Sequence, residues 1–290
     1  MTTAPTTAGA YRPPRLRRAI SKTVFHIAVI FVTAITIFPI YWMIVSTIQP
    51  NSYSLHYPPP FFPQEIRFTQ FAELFAERPI ANWLKNSFVI ASISMLLVTA
   101  LSVLGAYTLS SLRWRGRSLF GLFLLITQML PEVLVLVPLY VMYNRLEQLN
   151  SLPALAVVDA AFSLPVCIWI LKGVFDTIPT EVLDAALVDG CSEFGTMLRI
   201  VLPLSLPGLV AVAVVAFFGG WNEFLYASIL VGSTELMPAS VGLTTLKGLS
   251  GVLVEQYMGA GLVFSILPVL FYLTMQRYII SGLTAGAVKG

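Results

Sequence analysis

The chain has 290 residues, 57% of them hydrophobic and only 11% charged, with a formal net charge of +3 and a mean hydropathy of +0.83. Soluble domains carry about 25% charged residues, so an ordinary water-soluble domain is excluded. The basic residues lie between the apolar runs rather than on one folded surface, which excludes a nucleic-acid-binding reading of the positive charge.

In chain order, residues 1–22 read as a cytoplasmic tail, Thr/Ala-rich at first and then basic through Arg12, Arg15, Arg17, Arg18 and Lys22. The following stretch, 23–64, holds no formal charge. It is too long for the apolar core of a cleaved signal peptide and predicts a retained first span. Charge-poor runs place six membrane helices at 23–48, 86–111, 118–142, 153–172, 206–231 and 257–280, each near the roughly 20 residues that hydrocarbon requires. The expected fold is an all-α membrane protein with one transmembrane domain over 23–280 and a tail over 281–290.

Six spans put both termini on one side. With the N-terminus inside, twelve of the 17 Lys and Arg residues fall on the inner face, and Arg67, Arg78, Lys85, Arg145 and Lys247 remain outside. Positive charge is retained on the cytoplasmic side, so both termini are expected there. The outer segment 50–85 contains Pro58, Pro59 and Pro60 followed by Phe61 and Phe62, which stops a helix and suits an interfacial or protein-contact loop. Pro39, Pro131, Pro138, Pro165 and Pro268 favour kinks within the spans. Cys167 and Cys191 fall in a span and a loop, so no disulfide framework is expected, and no metal-ligand spacing accompanies them.

Loop 176–203 is the most informative segment. Pro179 and Thr180 are good helix starters, Glu181 and Asp184 favour the positive end of a helix dipole, and Gly190 can supply a left-handed stop. A short helix over 180–189 results. Ser192 can cap a second helix that runs to a break before Pro203 and leads into the fifth span. The element is compact, and Ala185 and Ala186 allow another surface to approach closely, so it reads either as a docking element or as a structured loop with a solvated acidic face.

Three acids, Glu132, Asp159 and Glu223, fall inside predicted spans, where an unpaired charge is costly. Glu132 follows Pro131 after Gln128, at an expected break in the third span. Trp221, Asn222 and Glu223 combine an aromatic face with amide and carboxylate groups, the mixture a sugar site uses. Gln128, Glu132, Trp221, Asn222 and Glu223 are the candidate solute path, against the alternative that the aromatics only pack and the acids are capped locally.

The order Asp184-Ala185-Ala186, three residues, Gly190, nine residues, Ile200, one residue, Leu202-Pro203 resembles the Glu-Ala-Ala-x3-Gly-x9-Ile-x-Leu-Pro signature of ABC-importer permeases. Flanking residues, including Leu164-Pro165, Trp169, Leu171-Lys172-Gly173, Ile178-Pro179, Pro207 and 221–224, are similar to the maltose-type carbohydrate branch, closely over the second half of the chain. The C-terminal run from Gly282 to Gly290 is similar too. Asp184 stands where Glu is usual and Cys191 where a small residue such as Ala is common.

The resemblance implies a type I permease fold whose loop is a coupling helix inserted into a cleft on an ATPase subunit. Glu181, Asp184, Ala185, Ala186, Asp189, Gly190, Ile200, Leu202 and Pro203 are the expected coupling residues. It also implies a second permease, two ATPase subunits and an external solute-binding protein, in a bacterial cytoplasmic membrane. The solute would be a disaccharide-like sugar, or glycerol 3-phosphate or another polyol derivative. The chain itself has no phosphate-binding Gly-x4-Gly-Lys-Ser/Thr loop. It is expected to catalyse nothing and to hold no cofactor or metal, with ATP and Mg on the partner ATPase. An ion-coupled secondary transporter is the rival reading, but it leaves the 176–203 pattern unexplained, and two histidines make a membrane-embedded enzyme weaker still.

Overall fold

A computed structural model describes residues 15–246 and 254–287, with side chains placed for 22–246 and 254–278. The expected tails at 1–22 and 281–290 fall partly outside the described residues, and Lys247 wholly so. The described part is helical, in the order α1 (Arg15–Ile48), α2 (Asn51–Ser54), α3 (Thr69–Glu77), α4 (Ile80–Ser110), α5 (Arg117–Thr127), α6 (Glu132–Arg145) and α7 (Leu152–Phe175). There follow α8 (Thr180–Val188), α9 (Glu193–Thr196), a π turn (Met197–Val201), α10 (Leu202–Leu204), α11 (Leu206–Trp221), α12 (Ala227–Leu230), α13 (Ala239–Thr245) and α14 (Val254–Ala287).

Among the described residues, four helices are long and apolar enough to cross a membrane: α1, α4, α7 and α14. The third predicted span is not one helix. It is the pair α5 and α6, bent by 91° at the break over 128–131, where Pro131 lacks an N–H to continue the ladder. The fifth is shorter than expected, because α11 stops at Trp221 and the chain turns before α12. An apolar run measures how much chain prefers hydrocarbon, not whether that chain stays straight. α1 and α14 overrun the predicted 23–48 and 257–280.

The core is the packing of α4, α7 and α11. Val98, Ala106 and Tyr107 meet Cys167, Leu171 and Phe175, and Val212 and Ala216 close the cluster. Small residues set the helix spacing, as in membrane bundles generally. A Cβ on Gly220 would lie 2.8 Å from the Ala91 Cα, and one on Gly105 would lie 2.7 Å from the Ile168 side chain. The start of α4 holds the 233–239 segment by polar contacts. Trp83 Nε1 donates to Thr234 C=O at 2.9 Å, Asn86 Nδ2 donates to Glu235 and Met237 carbonyls at 2.8 and 3.0 Å, and Ser87 Oγ accepts from Ala239 N–H at 2.9 Å.

α1 stands apart, its apolar surface exposed from Val24 to Ile40. It packs against α14 and against the outer segment, where Phe61 meets the Phe38, Tyr41 and Trp42 rings at 6.0, 5.7 and 6.3 Å. Tyr41 donates its hydroxyl to Phe61 C=O at 2.6 Å. The aromatics of the proline-rich segment therefore serve to fold it back on α1.

Candidate functional site

Two places carry chemistry, one at an end of the bundle and one along its side. At the end, α8 forms over 180–188 and stops as its residues dictate. Gly190 has φ +88°, its N–H donates to Leu187 C=O at 3.1 Å, and Cys191 N–H donates to Ala186 C=O at 3.0 Å, the paired bonds of a Schellman stop. Ser192 Oγ then accepts from Gly195 N–H at 3.1 Å and starts the next helix. That helix does not break before Pro203. It widens into the π turn at 197–201 and runs through Pro203 to Leu204, bending by 83° at Ser205 into α11. A π turn shifts the hydrogen-bond register by one residue, which accommodates a ring that would clash with the carbonyl four residues earlier.

The expected coupling residues divide between two faces. Glu181, Asp184, Ala185, Asp189, Gly190 and Pro203 are exposed; Ala186 is buried, and Ile200 and Leu202 are half-buried, with Leu202 packed on the main core. Val188 projects beside the acids at 87% exposure, so α8 presents an apolar and acidic surface that the chain itself leaves uncovered. The inner side is tied to the bundle. Tyr107 on α4 donates to Glu193 Oε2 at 3.0 Å. Ser110 donates to Asp176 Oδ1 at 2.6 Å and Lys172 donates to Oδ2 at 2.5 Å. Burial pushes the Asp176 carboxyl up, but these two hydrogen bonds and the charges of Lys172 and Arg117 outweigh it and hold it below its ordinary value. A groove of about 680 Å³ runs between the end of α4 and α8, with Asp184 and Leu187 on its wall.

Along the side of the bundle, the break after α5, where Gln128 and Glu132 are exposed, and the segment after α11 come together. Gln128 Nε2 donates to Phe162 C=O at 3.2 Å, Phe162 stacks on Tyr226 at 5.0 Å, and Tyr226 N–H donates to Glu223 Oε1 at 2.7 Å. Glu223 thus caps the start of α12, and its own carbonyl accepts from Ser240. Asp159 is buried on α7, accepts from Ser94, and lies against Gly219 and Gly220, where any Cβ would come within 3.6 Å and 3.3 Å of its carboxylate. The Tyr226 hydroxyl is buried without a partner among the described residues.

Trp221 and Asn222 do not join this set. Trp221 is 1% exposed and stacks on Phe217 and Phe264 at 6.1 and 5.1 Å. Asn222 donates to Phe218 C=O at 2.9 Å and borders a recess of about 350 Å³ facing α14. Ser94, Phe162 and Ser240 belong to the interior set and carry no local signal, because a serine or phenylalanine in an apolar run reads as packing.

The two places share their helices. α7 carries Asp159 and ends at the 176–203 loop, about 25 Å further along at 1.5 Å per residue. α11 leaves that loop and ends at Trp221, beside the Gly219–Gly220 contact with Asp159.

Comparison with known proteins agrees with this architecture. The chain is 32% identical over 276 residues to the inner membrane ABC transporter permease protein YcjP of Escherichia coli (strain K12), covering 94% of this chain and 99% of the relative. It is 31% identical over 274 residues to the trehalose/maltose transport system permease protein MalG of Thermococcus litoralis, covering 93% and 98%. A chain in the crystal structure of a bacterial ABC transporter involved in the import of the acidic polysaccharide alginate shares the fold, with a TM-score of 0.76 at 18% identity over 93% of this chain and 99% of that one. Residues 99–284 match the model of the binding-protein-dependent transport system inner membrane component, and the chain belongs to that family of membrane-spanning transport permeases.

Proposed function

We propose that the chain is one membrane-spanning half of an ATP-driven sugar importer. It works with a second permease, two ATPase subunits that hold ATP and Mg, and an external solute-binding protein. The chain hydrolyses nothing itself, and both termini and α8 face the cytoplasm of a bacterial cell. The observation that carries the reading is α8: an exposed, sharply terminated helix joined through Tyr107–Glu193 and Asp176–Ser110 to the helices that wall the interior set. Closure of an ATPase pair on α8 would move α7 and α11 against α4 and alternately open the interior to either side.

A disaccharide-like solute fits the interior chemistry. Carboxylates and the Gln128 amide bind hydroxyls, and the Phe162 and Tyr226 rings offer apolar faces for pyranose C–H groups. Three acids disfavour a phosphate-bearing solute by like-charge repulsion. The relative named for trehalose and maltose transport supports the same class.

The test is uptake by the four-subunit complex reconstituted in vesicles. Transport should stop when the ATPase subunits are left out, and transport that continues without them would refute the assignment. Glu223→Gln keeps an acceptor for Tyr226 N–H and removes only the charge, so it should insert normally and weaken sugar uptake by several-fold. Unchanged affinity and rate would remove Glu223 from the solute path.

A further inference from the structure

A further recess, mostly apolar but with two cations on its wall, lies away from both of these places. It measures about 490 Å³ and opens where the end of α4, the start of α5 and the end of α7 meet, lined by Leu109, Trp114, Gly116, Arg117, Trp169 and Lys172 among others. Its position is at the membrane surface, because α4 ends at Ser110 and α7 at Phe175, and tryptophan with Lys or Arg at span ends marks the headgroup level.

The lining suits an anion. Lys172 Nζ sits 5.6 Å from the Trp169 ring centroid and pairs with Asp176, and the Arg117 charge reaches the same carboxylate. Two cations thus share one acid. Trp169 also lines the recess, with its Nε1–H closed off from solvent and without an acceptor among the described residues. The start of α5 adds to it: no side chain caps this helix and its first turn holds no acid, leaving N–H donors at the positive end of the dipole. Gly116 is required there, since φ is +99° and a Cβ would lie 3.0 Å from the Trp114 ring. Leu109 and Gly121 give the recess an apolar floor.

We propose that this recess binds the phosphate of an anionic phospholipid headgroup, with Arg117 as the charge contact and the uncapped N–H groups at the start of α5 as donors. A phosphodiester offers several oxygen acceptors to this mixed set, while its glycerol and chains meet the apolar floor and the bilayer beyond. The bound lipid would bridge α5 to α7 beside Asp176, where the coupling loop begins.

The test is native mass spectrometry of the full chain in detergent, titrated with phosphatidylglycerol, phosphatidylcholine or inorganic phosphate. One phosphatidylglycerol should be retained per chain in preference to phosphatidylcholine. Arg117→Gln should weaken it about fivefold, and Arg145→Gln, at the opposite end of α6, should leave it unchanged. Equal retention of both lipids, or of phosphatidylglycerol by the Arg117 variant, would overturn the proposal. Displacement by millimolar inorganic phosphate would overturn the lipid as the source of the anion.

Discussion

The 176–203 loop and the 221–227 segment use the same local device, a helix that stops and is restarted by a side-chain cap. Ser192 caps Gly195 in one, and Glu223 caps Tyr226 in the other. They differ in what surrounds them. The first projects from the bundle with its apolar and acidic face uncovered; the second is enclosed by α4, α7 and α13 residues, down to the Ser240 hydroxyl on the Glu223 carbonyl. An exposed cap serves helix geometry alone. The Glu223 cap is half-buried and ties its segment to α13 through Ser240, so the same device becomes part of the packing between segments.

The largest expected effect is at the end of α8. Proline cannot adopt φ +88°, so Gly190→Pro should cost about 3 kcal/mol or more in the docking geometry, a shift of roughly 100-fold in a docking equilibrium. ATP-driven uptake should collapse while membrane insertion is preserved, and normal uptake by this variant would break the comparison at its root. Gly190→Ala is milder, since no atom lies within 4 Å of the added Cβ and only the left-handed backbone costs about 1–2 kcal/mol.

Next in size is Gly220→Ala, where the added carbon meets backbone rather than open space. Overpacking of this kind costs about 1–3 kcal/mol and should appear as a lower melting temperature of the purified chain, with a loss of uptake that follows stability. The two glycine positions thus separate conformational need from close packing, and a Gly220→Ala variant as stable as the wild type would erase that distinction.

Ser192→Ala removes an exposed cap and should cost about 1 kcal/mol. Its effect should be confined to protection of the 193–204 amides in hydrogen exchange, whereas loss of protection in α12 as well would show that the two segments are coupled more tightly than their contacts indicate.

The smallest effect concerns Asp176. Its folded-state pKa is lowered, so the stability it contributes is fully present above the ordinary carboxylate value of about 3.9 and is lost as pH falls through the lower folded value. The side chain is 42% exposed, which screens the ion pair to about 0.2–1 kcal/mol. The melting-temperature gap between wild type and Asp176→Asn should be small at neutral pH and should close in strong acid. A gap that widened in acid would reverse the sign of this assignment.

The helix stops and starts of the 176–203 loop were legible in the sequence because their signals are local. Gly190, Ser192 and the spacing to Leu202-Pro203 fix where helices start and stop through bonds spanning a few residues, although Pro203 misled by suggesting a break that the π turn absorbs. The break at 128–131 was legible for the same reason. The interior set was legible only in part. Glu132, Asp159 and Glu223 stand out because charge in hydrocarbon is costly, but Trp221 and Asn222, adjacent to Glu223, face α14 instead, and neighbours beyond a helix end need not share a face.

Composition and local pattern by themselves determined that this chain is a bundle of membrane helices with a compact helix–turn–helix between its fourth and fifth spans. Hydrocarbon demands long apolar runs, and helix stops demand particular residues. Only the tertiary structure decided that the third span is bent by 91°, that the fifth ends at Trp221, and that Gln128, Phe162, Tyr226 and Glu223 meet. Those outcomes depend on how α4, α7 and α11 pack, through contacts between residues distant in the chain that no local spacing encodes.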